Sequence, residues 1–281
     1  MKGAVSNIAW APAQRLDAYA LLRRHGICGL EVAPGLLFFD AADPLAPTEA
    51  EAAPRLAEVA EAGLELVSMQ SLLFGVEGAA LFEGPDALAR LEAGMARATA
   101  FAGRFAIPNM VFGSPRQRVR PDGMDPAAAC DAAAAVFARF GDAARAVGTV
   151  VAVEFNPPAY GTNFLTDVDA ALQFVRQVGH SGVTLQLDIG AMHMNDDFDR
   201  LGRMILDAGP LVSHVHVSAP HLAPAPGSAA EAARIERALR AIEYRGWTSI
   251  EMRPAGEDLS ALDAAVARLV EGAAMAGAPT S

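Results

Sequence analysis

Four apolar segments in the second half of the chain each end on a side chain that can bind a metal ion. They are VVAVE ending at Glu154, VTLQLD at Asp188, LVSHVH at His216 and TSIE at Glu251. Carboxylate oxygens with one imidazole nitrogen favour Mn, Mg or Co, with Zn as an alternative, over metals that prefer sulfur. If the segments are neighbouring parallel strands, their carboxyl ends meet at one rim and the four side chains converge. The pattern therefore predicts a divalent-metal site and a metal-dependent enzyme.

The elements that must position these residues repeat along the chain. Short β-branched runs alternate with long alanine-rich segments whose apolar residues recur every three or four positions, which is typical of repeated βα units. The runs predict eight strands, near residues 4–9, 27–32, 64–70, 106–112, 149–155, 183–189, 211–217 and 247–252. Glycines just before several strands predict helix ends in the left-handed conformation, at Gly26, Gly63, Gly103, Gly148, Gly182 and Gly246.

Eight such units in 281 residues match the size of an α/β protein of the (β/α)8 TIM barrel class. No linker or low-complexity segment divides the chain, so we expect a single domain over residues 1–281. A doubly wound open sheet is the main alternative, but it would ordinarily carry a glycine-rich phosphate loop after its first strand. The segment after the first predicted strand, AWAPAQR, has no such loop.

The composition limits the classes of partner. A chain with 52% hydrophobic residues can bury a large core. Its net charge of −11 argues against nucleic acid, because an acidic surface gains little by displacing phosphate counterions. We find no signal peptide, no stretch apolar enough to cross a membrane, and no metal or disulfide spacing at Cys28 and Cys130. We therefore expect a cytoplasmic protein that binds neither nucleic acid nor membranes.

Five motifs spread over nearly the whole chain carry a family resemblance: GICGLEVAP, VAVEFNP, LQLDIGAMHMN, HVHVS and SIEMRP. They resemble the sugar phosphate isomerases and epimerases, a group of xylose isomerase-like barrels that includes the ketose 3-epimerases and, more distantly, endonuclease IV. The resemblance implies that Glu154, Asp188, His216 and Glu251 hold one divalent ion that chelates two adjacent oxygens of a sugar. It also implies that Glu154 and Glu251 face opposite sides of the carbon between those oxygens.

The resemblance thus implies a metal-dependent sugar isomerase or epimerase. One glutamate removes a proton and the other returns it, through a metal-stabilised enediolate. The same deprotonation could instead begin an elimination, as in a dehydratase or lyase acting on a ketosugar or glycoside. A barrel that binds a sugar without turning it over is a further alternative. A DNA phosphodiesterase is disfavoured, since that chemistry in the family needs a histidine-rich three-metal cluster. Barrels of this kind often pair, so we expect a homodimer or homotetramer.

Two histidines compete as the ligand on the seventh strand. His214 and His216 are two residues apart and so point to the same side of a strand. The resemblance assigns the ligand to His216, and His214 lies deeper. Glu31 ends the second strand, where it could hydrogen-bond either a sugar hydroxyl or a ligating histidine.

Further side chains near the predicted rim are candidates for binding the substrate. Together with Glu31 they are Arg116, Tyr160, His193, His221 and Arg253. Ketose epimerases often carry an arginine near the position of His221 and a glutamate near that of Tyr160, so the resemblance leaves the particular sugar open. Arg116 alternates with Arg118 and Arg120 in a loop after the fourth strand, which would suit an anion site, a lid or a subunit contact.

Overall fold

A computed structural model describes residues 2–277 of the chain. Within these residues, eight parallel strands follow one another in chain order in a closed barrel. The strands are β1 (Lys2–Ser6), β2 (Gly29–Val32), β3 (Glu65–Met69), β4 (Met110–Phe112), β5 (Val151–Glu154), β6 (Val183–Asp188), β7 (Val212–Val217) and β8 (Trp247–Ile250). The predicted (β/α)8 barrel is therefore confirmed.

Ten α-helices occur in the same residues. They are α1 (Arg15–Arg24), α2 (Pro34–Leu37), α3 (Glu49–Glu61), α4 (Pro85–Arg104), α5 (Pro126–Ala146), α6 (Val168–Val178), α7 (Ile189–Met194), α8 (Leu201–Ala208), α9 (Ala229–Ala241) and α10 (Ser260–Gly277). Side-chain caps fix several helix starts, as at Asp125 before α5 and Asp167 before α6. None of these helices is long and apolar enough to cross a membrane.

The chain forms two compact units, one of Met1–Val67 with Asp188–Ser281 and the other of Ser68–Leu187. In the first unit, β1 pairs with β2 and β8, and β7 pairs with β8. Helices α9 and α10 approach closely at Gly272, where an added Cβ would lie 2.4 Å from the Cβ of Ala232. The extent of the predicted single domain, residues 1–281, stays a prediction.

The second unit has an aromatic core behind its strands. Phe137 of α5 packs edge-on against Phe112 of β4 and Phe174 of α6, with ring centroids 4.9 and 5.1 Å apart. Phe164 in turn contacts Phe174 at 5.8 Å. These side chains are buried, so they pack α5 and α6 together behind β4.

Each predicted strand differs from the observed one in at least one bound, and the first and fourth differ most. The first ends at Ser6 because the chain turns into a 3-10 helix over Asn7–Ala9. The fourth begins only at Met110, because Ala106 takes a left-handed conformation with φ of 52° and Pro108 offers no N–H to the sheet. Apolar composition alone did not show these interruptions.

The predicted left-handed glycines are half correct. Gly26, Gly63 and Gly148 have φ of 74°, 72° and 82°. The prediction is wrong for Gly103, which lies within α4, and for Gly182 and Gly246, which have no positive φ. At these two positions only glycine fits for lack of space. An added Cβ would lie 2.3 Å from the Gly141 carbonyl oxygen at Gly182, and 2.3 Å from the Tyr244 hydroxyl at Gly246.

Candidate metal centre

Three of the predicted ligands occupy the ends of strands in the first unit. Asp188 is the last residue of β6, and its Oδ1 caps α7 by accepting a hydrogen bond from the Ala191 amide at 2.5 Å. His216 lies in β7 and is fully buried. Glu251 follows β8 directly, and its amide donates to the Val217 carbonyl at 3.1 Å. The ends of β6, β7 and β8 thus fix where each side chain starts.

The side chain of His216 faces acidic groups on both of its ring nitrogens. Nδ1 lies 3.2 Å from Oε2 of Glu251 and 3.7 Å from Oδ2 of Asp188, while Nε2 lies 3.0 Å from Oε1 of Glu31. A neutral imidazole has one N–H, and if Glu31 accepts it the Nδ1 lone pair points towards two carboxylates. A cation relieves the repulsion among these electron-rich atoms, so the donor set fits a divalent metal ion.

Glu31 supports His216 from β2. Its side chain is fully buried, and its Oε2 also lies 3.1 Å from Nε2 of His214, which is 2.7 Å from the Ser249 hydroxyl. Burial raises the pKa of Glu31, but the adjacent His216 and His214 outweigh it and hold the pKa well below its usual range. Glu31 therefore contacts a candidate metal-binding histidine, and His214 belongs to the same network. The role of Glu31 in binding the substrate stays a prediction.

Ser218 supports Asp188 and was not foreseen. Its hydroxyl donates to Oδ1 of Asp188 at 3.0 Å and accepts from the Gly190 amide at 2.8 Å. Ser218 follows His216 by two residues in HVHVS, so strand alternation places both side chains on the same side. That alternation was the available signal for this residue.

In the second unit, Glu154 ends β5 and is held by its neighbours. The Asn156 amide donates to Oε2 of Glu154 at 3.1 Å. Arg118 donates to the carbonyl oxygen of Glu154 at 2.6 Å and to Oδ1 of Asn156 at 2.7 Å. Burial lowers the pKa of Arg118 to about 10, against the opposing effect of the Glu154 charge, so the guanidinium stays protonated at neutral pH.

The loop after β4 is shaped around this carboxylate. A Cβ added to Gly113 would lie 2.6 Å from Oε2 of Glu154, so the missing side chain leaves room for the glutamate. Ser114 then takes a left-handed conformation, with φ of 38° and ψ of 56°, and leads into a 3-10 helix over Pro115–Arg118. This turn directs Arg118 back into the protein.

Asp188, His216 and Glu251 of the first unit form one candidate group, in which all three side chains are buried and both carboxylates lie near Nδ1 of His216. Glu154, in the second unit, stays the predicted fourth ligand. A second group joins Glu31, His214 and His216. The arrangement can bind a metal ion, whereas the assignment of each residue as a ligand or proton carrier stays a prediction.

The arginine loop does not behave as one cluster. Arg116 is exposed, and a Cβ at Gly161, which follows the half-buried Tyr160, would lie 3.9 Å from its Cγ. Arg118 is buried, and the side chain of Arg120 donates to the Met124 carbonyl. The substrate-binding roles of Arg116 and Tyr160 stay predictions.

His193 is held in place from two sides. Its ring stacks on Phe198 with centroids 4.1 Å apart, and its Nε2 lies 3.1 Å from Oε1 of Glu231. Arg234 covers the Phe198 ring at 4.6 Å. His193 therefore has a defined orientation, although its predicted contact with substrate is untested.

The other two rim candidates follow β7 and β8. His221 is exposed and has a left-handed φ of 59°. Arg253 is also exposed, and its amide donates to the Leu222 carbonyl at 2.9 Å, which ties the two loops together. Both stay predictions as substrate-binding residues.

Solved structures share this fold at low sequence identity. D-psicose 3-epimerase from Clostridium cellulolyticum H10, solved with D-tagatose, has a TM-score of 0.76 at 17% identity, with 98% of each chain covered. For 3-keto-D-glucoside 4-epimerase from E. coli the TM-score is 0.71 at 18% identity, with 98% of each chain covered. An AP endonuclease of family 2 from Brucella melitensis gives 0.68 at 19%, over 95% of this chain and 97% of that one.

No curated protein sequence matches the chain. The sequence model that describes the xylose isomerase-like TIM barrel matches residues 19–271. The match includes the second to eighth strands and all four predicted ligands. Because sequence pattern and observed barrel agree over this length, the chain belongs to the xylose isomerase-like TIM barrel family.

Proposed function

We propose that the protein is a metal-dependent sugar isomerase or epimerase that works by proton transfer. One observation carries the proposal: in the first unit, Nδ1 of the buried His216 lies 3.2 Å from Oε2 of Glu251 and 3.7 Å from Oδ2 of Asp188. We propose Glu154 as the fourth ligand. Two structures of the same fold are sugar epimerases by name, which supports a carbohydrate as the substrate.

A divalent cation bound by these residues, with Mn, Mg or Co favoured and Zn an alternative, supplies a Lewis acid that makes the carbon beside a sugar carbonyl more acidic. The protein moves the proton. The carboxylate of Glu154 or Glu251 accepts it from the carbon, and the other carboxyl group donates a proton to the opposite face. Ser218 and Glu31 restrain Asp188 and His216, which act only as ligands.

The rim side chains bind the rest of the sugar. Arg116, Tyr160, His193, His221 and Arg253 offer hydrogen-bond donors and acceptors for hydroxyl groups, and the exposed arginines also suit an anionic substituent. Because the chain has His221 and Tyr160 in place of the arginine and glutamate often found in ketose 3-epimerases, we leave the identity of the sugar to experiment.

Hydrogen exchange into sugars tests this function. Protein stripped with EDTA and reloaded with Mn²⁺ is incubated in deuterated water with a panel of ketoses and aldoses. We expect deuterium to enter a sugar carbon only in the reloaded sample. Absence of metal-dependent deuterium in every sugar overturns the proposal, and a product lighter by one water identifies elimination instead.

Matched variants assign the proton carriers. Glu154→Gln and Glu251→Gln each remove one carboxylate, and we expect a loss of exchange by at least about a hundredfold, the typical contribution of one general acid or base. Glu257→Gln is the control, because Glu257 is an exposed residue in the loop after β8. Unchanged exchange in both site variants contradicts their proposed role.

A further inference from the structure

Arg118 is a buried cation whose partners are neutral. Its side chain has no exposed surface, and in the described part of the chain its guanidinium hydrogen-bonds the carbonyl oxygen of Glu154 and the amide oxygen of Asn156. Burial of a charge costs free energy unless its hydrogen bonds compensate. An apolar side chain would fill the space without that cost, so packing alone does not explain an arginine here.

The contacts of Arg118 determine which way the Asn156 amide faces. An asparagine side chain can rotate by 180° and exchange its oxygen and nitrogen. A guanidinium only donates, so the group that faces Arg118 at 2.7 Å must be Oδ1. The amide nitrogen is then directed at Oε2 of Glu154, 3.1 Å away.

The two carboxylate oxygens of Glu154 therefore differ in their contact with Asn156. Oε2 accepts a hydrogen bond from the Asn156 amide, whereas Oε1 accepts none from it. The guanidinium also holds the Glu154 carbonyl at 2.6 Å, so the backbone and the side chain of the glutamate are restrained by the same residue. The planar, forked donor geometry of arginine makes this two-point contact possible.

We propose that Arg118 is a positioning residue for Glu154: it fixes the Asn156 amide and thereby fixes which carboxylate oxygen Glu154 presents to a metal ion or substrate. The inference rests on the proposed function, in which Glu154 is both ligand and proton carrier. Arg118 itself touches neither substrate nor reacting atoms.

The first test needs neither metal nor sugar. The side-chain NH₂ signals of Asn156 are followed by NMR in metal-free protein and assigned by their loss in Asn156→Ala. We expect slow hydrogen exchange in the parent protein and faster exchange in Arg118→Lys, because lysine cannot fill both donor positions. Arg139→Lys on the surface of α5 is the matched control and should leave the signals unchanged.

Equal protection of these signals in the parent protein and in a folded Arg118→Lys overturns the proposal. If Arg118→Lys fails to fold, the Mn²⁺ affinity of Asn156→Ala decides instead. A Mn²⁺ affinity of Asn156→Ala within about twofold of the parent protein then overturns the proposal, because Arg118 is proposed to act through Asn156.

The second test is a double-mutant cycle on the Kd for Mn²⁺, measured by calorimetry. We expect Arg118→Lys and Asn156→Ala each to weaken binding by about tenfold. Because both substitutions act through one contact, the Kd of the double variant should be no more than about three times that of the single variant with the higher Kd. If the two losses in binding free energy instead add in the double variant, Arg118 does not act on Glu154 through Asn156. If the parent protein binds no Mn²⁺, the proposed metal site is wrong. The NMR measurement on metal-free protein still tests whether Arg118 orients the Asn156 amide.

Discussion

His216 and Glu31 lie 185 residues apart in sequence, yet Nε2 of the histidine is 3.0 Å from Oε1 of the glutamate. Both side chains are fully buried. A carboxylate that accepts the Nε2 proton fixes the tautomer of the imidazole and directs the Nδ1 lone pair to the opposite side. That side faces Asp188 and Glu251, the other candidate ligands of the first unit.

Replacing Glu31 by glutamine tests this relationship. Glu31→Gln removes the negative charge and places an amide N–H among the histidines, so we expect Mn²⁺ affinity to fall by about 10- to 100-fold. Calorimetry measures the change. Glu65→Gln, at an exposed residue that opens β3, serves as the control. Parent-like affinity in Glu31→Gln would show that the histidine needs no such partner.

Gly113→Ala should displace the Glu154 carboxylate, because the new methyl carbon would lie 2.6 Å from Oε2. Gly113 has no positive φ, so its backbone accepts alanine. We expect metal affinity and deuterium exchange to fall by about tenfold or more, as when an outer-shell contact is lost. Gly202→Ala is the matched control, since an added Cβ meets nothing within 4 Å there. Equal behaviour of the two variants would contradict the steric argument.

Ser218→Ala should weaken the support of Asp188. The hydroxyl bridges Oδ1 of Asp188 and the Gly190 amide, and its loss leaves a buried amide without that acceptor. We expect a loss of about 1–3 kcal/mol in the free energy of unfolding, measured with urea, and weaker Mn²⁺ binding. Ser181→Ala, at an exposed turn, should change neither quantity. Unaltered unfolding of Ser218→Ala would rule out the bridge as a stabilising contact.

Acid unfolding should depend on Glu58. Each of its carboxylate oxygens accepts a hydrogen bond of 2.7 Å from the Arg15 side chain. Hydrogen bonds from Arg15 lower the pKa of Glu58 from its usual 4.5. A lowered pKa stabilises the folded state above pH 4.5 and ceases to do so as pH falls through the lowered value.

Glu58→Gln should therefore destabilise the protein at neutral pH by about 0.5–1 kcal/mol, a figure that allows for solvent screening of a partly exposed pair. The difference from the parent protein should shrink below pH 4.5. Urea unfolding at a series of pH values measures it, with Glu61→Gln on the exposed face of α3 as the control. A difference that is constant with pH would exclude the charge as its cause.

The sequence predicted all eight strands because each is a short apolar run bounded by helical periodicity. It did not predict where β1 stops or where β4 begins, because these bounds depend on backbone turns at Asn7 and Ala106. It also misjudged Gly182 and Gly246, whose role is close approach to other parts of the chain. Such packing involves residues distant in sequence, which local patterns do not show.

The sequence could suggest the four ligands because the parallel strands of a barrel end at one rim, a consequence of topology that sequence spacing can reveal. The partners of these ligands were harder to foresee. Asn156 and Ser218 each follow a predicted ligand by two residues, so strand alternation was a usable signal. Arg118 gave no such signal, because an arginine in a polar loop is ordinarily exposed. Its burial depends on the turn at Ser114.

The hydrogen-bonded chain from Ser249 through His214 and Glu31 to His216 consists of strand residues alone. The segments that carry His221 and Arg253 lie outside those strands. Exchange of these loops, by natural divergence or by a protein engineer, therefore leaves the support of the histidine intact. A combinatorial library confined to residues 219–227 and 253–256 can therefore vary the candidate substrate-binding loops while the contacts of His216 with the strands stay unchanged.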